Sequence, residues 1–245
     1  MLTPSTTHSC GASLSLLDGI TDIYTTYTYY NADLKGKAYV LLAMLIANVT
    51  VQLLFVVFAQ NSKKGWTVKV KEALITIFFL RHAVDAYRVS TAHHDDGALM
   101  NPLTAMIVTK CTELATESIP GGVLQTYVYL DKPEGLGNAA LISIAVSALA
   151  TGYTSATIAF DLDVDVSRRK IQKNFYGYLP HGNDQRGGCF ALMTLICTLH
   201  NISRTIGVAL LATRTKTVAL YFVGGEMLLY ERRAPSEASA ERSES

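Results

Sequence analysis

The chain has 245 residues, of which 49% are hydrophobic and 17% charged, and its net charge is +1. Soluble domains usually carry about a quarter charged residues, so this composition and a mean hydropathy of +0.24 point away from a soluble enzyme. The balanced charge excludes a basic nucleic-acid surface, and long apolar blocks exclude disorder for most of the length.

The first element predicted is Gly11–Tyr30. It carries Asp18 and Asp22 and closes on IYTTYTYY, an aromatic run of the kind found at membrane interfaces. It has no basic leader and no early apolar core, which argues against a cleaved signal peptide. Next, Ala38–Ala59 is apolar over the ~20 residues that a helix needs to cross the hydrocarbon core. Its strong polar groups, Asn48 and Gln52, are four apart and share a face. That face should meet protein, because an amide has no partner in lipid.

Asn61–Glu72 is a polar loop with four lysines. Ala73–Ser90 follows, with Arg81, Asp85 and Arg88 on one face. His93, His94, Asp95 and Asp96 read as a solvated loop, since no further cluster completes a zinc site. Leu103–Leu130 carries Lys110, Glu113 and Glu117 and then Pro120-Gly121-Gly122, which should interrupt a helix near its middle.

Asn138–Phe160 is a span rich in small residues, with Ser143, Ser147 and Thr151 in one stripe suited to close helix contact. The longest loop, Asp161–Gly188, clusters Arg168, Arg169, Lys170 and Lys173. Cys189–Ala212 is another span, with His200 and Arg204 four apart. Val218–Tyr230 is short and carries Glu226. Residues 1–230 thus form a transmembrane domain, and 231–245 a disordered cytoplasmic tail.

Cytoplasmic loops are enriched in Lys and Arg, so both basic loops belong inside. An even number of crossings must separate them. With three candidates between them, one should not cross, and the Pro-Gly-Gly site selects Leu103–Leu130 as re-entrant. The expected fold is an all-α polytopic bundle of about six crossings plus that broken helix. Both termini are then cytoplasmic, in a multi-pass protein of the plasma membrane more than of internal membranes. The sequons at Asn48 and Asn201 fall in mid-span and should stay unmodified.

Each set of intramembrane charges lines one helical face. A mid-membrane charge costs at least ~2.5–3.5 kcal/mol, so these faces must meet each other or a hydrated groove. Asp18, Asp22, Asp85, Glu113, Glu117 and Glu226 can be offset by Arg81, Arg88, Lys110 and Arg204, with Arg81–Asp85 and Lys110–Glu113 as pairs within one helix. Structural ion pairs and a polar path for a charged or zwitterionic passenger are both open readings. Cys111, Cys189 and Cys197 read as buried apolar residues. No metal site, nucleotide loop, cofactor motif or hydrolase arrangement is present in the sequence, so no enzymatic activity is expected.

Several motifs resemble the XK-related family of multi-pass membrane proteins, some of which are phospholipid scramblases. SLLDGITDIY is similar to the family's opening helix, with Asp18 and Asp22 matching. NVTVQLLFVVFA resembles the close of its next helix, at Gln52. TELATESIPGGVLQTYVYL resembles its Glu-Ser-x-Pro-Gln-x-x-x-Gln stretch, with Glu117, Ser118, Pro120 and Gln125 aligned and Gly121 replacing a glutamine. SIAVSALATGYTSA and LHNISRTIGVALLA resemble two later helices, the second at Ser203 and Arg204. The resemblance covers Leu14 to Ala212. It implies that Asp18, Asp22, Glu117, Gln125 and Arg204 form steps for lipid headgroups. Arg81, Asp85, Glu113 and Glu226 join them by the charge argument alone. The chain is short for the family and is expected to lack one or more closing helices.

The expected function is passive phospholipid movement between leaflets, with membrane lipids as partners. The alternatives are a non-transporting scaffold or partner subunit, alone or as a homo-oligomer, and a secondary transporter.

Overall fold

The computed structural model describes residues 4–91, 100–131, 137–165, 170, 177–180 and 183–225, and among them the chain is helical with no strand. Glu226, the His93–Asp96 group, Arg168, Arg169, Lys173 and the 231–245 tail lie outside the described residues.

Helix α1 covers Pro4–Asn31. It stops at Asp33, which has φ 59°, a left-handed conformation that short polar side chains tolerate. The Leu34 amide donates back to the Tyr29 carbonyl at 2.9 Å and closes the turn. Helix α2, Lys35–Leu54, widens into a π-turn over Phe55–Gln60. There the Asn61 amide donates five residues back to the Val56 carbonyl at 3.1 Å.

Between Trp66 and Ser90 the chain departs from expectation. Ala73–Ser90 is not one helix but the end of α3 (Trp66–Ile77) and the whole of α4 (Arg81–Ser90). At ~1.5 Å per residue they are about 18 and 15 Å long, each well short of the ~30 Å hydrocarbon core. The break is at Phe79, with φ 59°, and the Leu80 amide donates to the Ile75 carbonyl at 3.0 Å.

Leu103–Leu130, in contrast, does not reverse. Helix α5 (Pro102–Glu113) passes through a π-turn (Leu114–Ser118) directly into α6 (Ile119–Asp131). Asn101 caps its start by accepting the Leu103 amide at 3.1 Å, with Pro102 in the first turn, where a missing N–H costs nothing. Pro120 lacks an N–H, and its ring would meet the carbonyl four residues back. The wider turn, in which the Ile119 amide donates to the Leu114 carbonyl, precedes the proline directly. The interruption predicted here is a change of helical pitch, and the sharp break between helices lies elsewhere, between α3 and α4.

Helix α7 covers Gly137–Val164 and α8 covers Asn183–Arg214; a further helical run occupies 216–225. Among the described residues three stretches are long and apolar enough to cross a membrane: Lys35–Gln60, Ala140–Val164 and Gln185–Arg214.

Helix α1 packs against α2, α4 and α7, and α8 packs on α6 and α7. Helices α7 and α8 approach tightly at Gly152, where a Cβ would lie 2.6 Å from the Thr198 Cα. Lipid supplies no hydrophobic drive between helices, so such small-residue contacts carry association. Tyr153 and Phe160 meet Phe190 edge-on, with ring centroids 5.2 and 5.5 Å apart. At the far end of α1, Tyr29, Ala38, Leu41, Val128 and Ala140 form an apolar plug. The outer surface is apolar, with Leu17, Ile20, Ile46, Leu195 and Leu199 exposed. Tyr24, Tyr27, Tyr30 and Tyr39 are exposed beside the α1–α2 turn, as an interfacial belt would be. Cys111 is exposed and Cys189 and Cys197 half-buried, against the buried positions expected.

Candidate functional site: a buried polar ladder

Helix α1 supplies one upright of the ladder, and its rungs can be taken from the N-terminal end. His8 faces Asp161 of α7, Nε2 to Oδ1 at 3.8 Å, with both side chains largely buried. The Tyr153 hydroxyl donates to the Thr7 carbonyl at 2.8 Å. Ser15 Oγ donates to Glu113 Oε1, and Glu113 Oε2 lies 3.0 Å from His82 Nε2 of α4. Asp18 lies among Ser118 and Ser147. At that depth Asn48 Nδ2 donates to Glu117 Oε2, and Gln52 Nε2 donates to Asn48 Oδ1 at 2.9 Å. Gln125 Nε2 donates to Asp22 Oδ1 at 2.7 Å. Thr25 Oγ1 donates to Ser143 Oγ at 2.8 Å, which donates on to Gln125 Oε1 at 3.1 Å. The apolar plug around Tyr29 closes the row.

The local sequence explains this alignment. Asp18, Asp22, Thr25 and Tyr29 recur at helical spacing and are all buried, so α1 turns one polar face inward. The π-turn adds a residue to the α5–α6 rod, and both Glu117 and Ser118 are buried beside it. From His8 to Thr25 the rungs span about 26 Å at ~1.5 Å rise per residue.

A second group flanks the first. Arg81 is 1% exposed and fully engaged. It donates from Nε to Asp85 Oδ2 at 2.9 Å, from Nη1 to Glu72 Oε2 at 2.7 Å and from Nη2 to Gln60 Oε1 at 2.5 Å. Arg88 also bonds Glu72 through both Nη atoms. Thr109 Oγ1 donates to Asp85 Oδ2 at 3.2 Å. These bonds tie α2, α3, α4 and α5 together.

The two groups differ in charge compensation. Asp18 (2% exposed), Asp22 (0%) and Glu117 (4%) have no Lys, Arg or His within ion-pair distance among the described residues. Asp18 Oδ1 and Asp22 Oδ2 have no hydrogen-bond partner among the described residues. Buried polar atoms in native structures are nearly always satisfied, by protein, water or ion, so this layer is short of donors. A cavity of about 10 Å³ adjoins it, lined by Asn48, Gln52, Phe79, His82, Glu113 and Glu117, with room for about one water. Among the described residues no three metal-ligating side chains converge.

Of the residues singled out from the sequence, Asp18, Asp22, Glu113, Glu117 and Gln125 meet in the ladder, and Arg81 and Asp85 in the flanking network. Arg204 does not join them: it is exposed on α8, because the buried side of that helix is set by Thr205 and Ala209. The Lys110–Glu113 pair does not form either; Glu113 takes His82 instead. Sequence reasoning left Glu72 in a loop, although Glu72 and Thr76 are four apart and face inward on α3. It also passed over His8, His82, Gln60 and Asp161.

No family model matches this chain, and neither a curated protein nor a solved structure matches it. The likeness to XK-related proteins therefore rests on the motifs alone.

Proposed function

We propose that the chain is a polytopic membrane protein that moves phospholipids between leaflets, with headgroups exchanging contacts along the ladder while acyl chains stay in the bilayer. One observation carries this reading: a buried polar row about 26 Å long, close to the ~30 Å of a hydrocarbon core, holds three carboxylates with no cationic side chain paired to them. Structural burial of charge normally brings a partner, as at Arg81; a charge left without one suits a passenger that brings its own. The XK-related resemblance at Asp18, Asp22, Glu117 and Gln125 supports the same path. In this closed form, the row is sealed by the Tyr29 cluster.

In the matching topology, α1, α2, α5–α6, α7 and α8 cross, and α3–α4 enters and leaves on one side. Two complete crossings, α5–α6 and α7, then separate the two basic loops. Asp161, where the second basic loop begins, lies beside His8, and Gln60, which leads into the first, is at the same end of the bundle; that end is cytoplasmic in this reading.

A second reading has a specific observation behind it. The Arg81 network, in which Glu72 and Asp85 are each paired with Arg81 and Arg88, is what a non-transporting scaffold with structural ion pairs would show. A dye-quenching assay on purified protein in liposomes separates the two, with Glu117→Gln compared against the unaltered chain. Rapid fluorescence loss with the unaltered chain, and slow loss with the folded variant, support a lipid path. Loss no faster than in protein-free liposomes favours the scaffold.

A further inference from the structure

Phe79 occupies a position where proteins usually place glycine. It follows the last turn of α3 at φ 59°, with the Leu80 amide closing back to Ile75 at 3.0 Å, the arrangement of a left-handed helix cap. For a residue with a Cβ this conformation costs about 1–2 kcal/mol, and such strain persists where the surroundings hold it in place. Its ring holds the elbow against α1: Phe79 Cδ1 lies 3.7 Å from where a Cβ on Gly19 would be. Gly19 sits between Asp18 and Asp22 in sequence, so the elbow reaches the level of the carboxylate layer. Phe79 lines the cavity there, together with Val49 and Gly19 on its apolar side and Glu113, Glu117 and His82 on its polar side. On the opposite side of the elbow, Phe78 and Leu80 are exposed, at 66% and 47%.

We infer that Phe79 is an apolar plug, closing a side entrance between the surrounding lipid and the polar ladder at the elbow of α3 and α4. The strained backbone gives the elbow a second state. Release of the left-handed peptide lets the ring leave Gly19 and opens the cavity toward the side where Phe78 and Leu80 already face out. A polar headgroup entering at this depth would meet Glu117 and Asn48 first. This use of the entrance rests on the lipid-path reading; the plug itself does not.

The test replaces Cys10, Cys111, Cys189 and Cys197 by serine and introduces Gln52→Cys at the buried cavity wall. Labelling by a small ammonium-bearing methanethiosulfonate is followed in nanodiscs. Phe79→Gly removes the ring and suits the backbone, so the variant keeps its fold; Phe79→Ala is the second variant, and both are checked by thermal unfolding. Labelling should rise by about tenfold or more in both, which corresponds to ~1.4 kcal/mol of lost closure, and should not change in Phe78→Gly. Equal rates in the native and Phe79 variants, or an equal rise in Phe78→Gly, overturn the plug. Lipid movement is measured in parallel on chains that keep Gln52, with and without the Phe79 substitutions. Faster labelling with no lipid movement in any variant leaves the plug standing and removes the lipid path. Lipid movement with unchanged labelling does the reverse.

Discussion

Gln125 of α6 donates a 2.7 Å hydrogen bond to Asp22 of α1, 103 residues away in sequence, and both side chains are buried. Among the described residues the amide is the one donor to that carboxylate, since Asp22 Oδ2 has none, and its own Oε1 accepts from Ser143. One side chain therefore joins α1, α6 and α7. Gln125→Leu keeps much of the volume, strips Asp22 of its donor and leaves Ser143 without its acceptor. A buried group left unsatisfied costs about 1–3 kcal/mol, and more when charged, whereas removing both partners is nearly neutral. Thermal unfolding in detergent should show a loss in Gln125→Leu that is largely recovered in Asp22→Leu/Gln125→Leu. The double variant, folded but lacking the rung, should move no lipid. Lipid movement at the native rate in that variant would remove Asp22 from the path.

Arg81 predicts the opposite pattern. It neutralises Glu72 and Asp85 in a region where both are nearly inaccessible. Arg81→Met leaves buried carboxylates with reduced compensation, and breaking such a pair costs about 3–5 kcal/mol. Folded yield should fall sharply, with Arg88, still bonded to Glu72, limiting the damage. Lipid movement per folded molecule should be unchanged. A well-folded variant without lipid movement would place Arg81 on the path instead of in its frame.

The polar face of α1 is legible because Asp18 and Asp22 sit at helical spacing in an apolar segment, and Glu117 because it follows Glu113 by four residues on one helical face. The amide pair Asn48 and Gln52 was read as facing protein, and the structure places it against Glu117. Two features were not legible. The elbow at Phe79 lacks any glycine or proline signal, since the sequence there reads ITIFFLRHAV. The π-turn after Glu113 rotates the following residues relative to an ideal helix, so spacing alone could not set the register of Glu117 and Gln125 against Asn48 and Asp22. Pro120-Gly121-Gly122 drew the predicted break toward itself because a proline and two glycines are stronger punctuation than a strained phenylalanine. Glu113 meets the imidazole and not Lys110 because His82 arrives from α4, an element that the sequence alone did not separate from α3.

Gly152 sets the separation of α7 and α8. A Cβ there would lie 2.1 Å from Thr198 Oγ1, 2.6 Å from its Cα and 2.7 Å from its N. The last two are backbone, so rotating the Thr198 side chain gives no relief. Gly152→Ala should force the helices apart at a cost of about 1–3 kcal/mol, read as a lowered melting temperature. Thr198→Ala in the same chain should not restore it. Full rescue by Thr198→Ala would mean that only the hydroxyl opposes the new methyl group.

The elbow also makes a topological prediction. Helix α1 runs parallel to the α5–α6 rod, since Ser15 meets Glu113 and Asp22 meets Gln125. Helix α2 runs the other way, as Asn48 meets Glu117 and Gln60 meets Arg81. The turn at Asp33 therefore lies at one end of the bundle, and Ser62 and Asn101 at the other. If Trp66–Ser90 crossed the membrane as a single helix, Ser62 and Asn101 would face opposite compartments. With α3 and α4 each under two-thirds of a crossing in length, they should face the same one. In sealed, uniformly oriented vesicles and a cysteine-free background, an impermeant maleimide should label Ser62→Cys and Asn101→Cys from one side and Asp33→Cys from the other. Labelling of Ser62→Cys and Asn101→Cys from opposite sides would mean that α3 and α4 straighten into one span in the bilayer, and the side entrance at Phe79 would then have no elbow to close it.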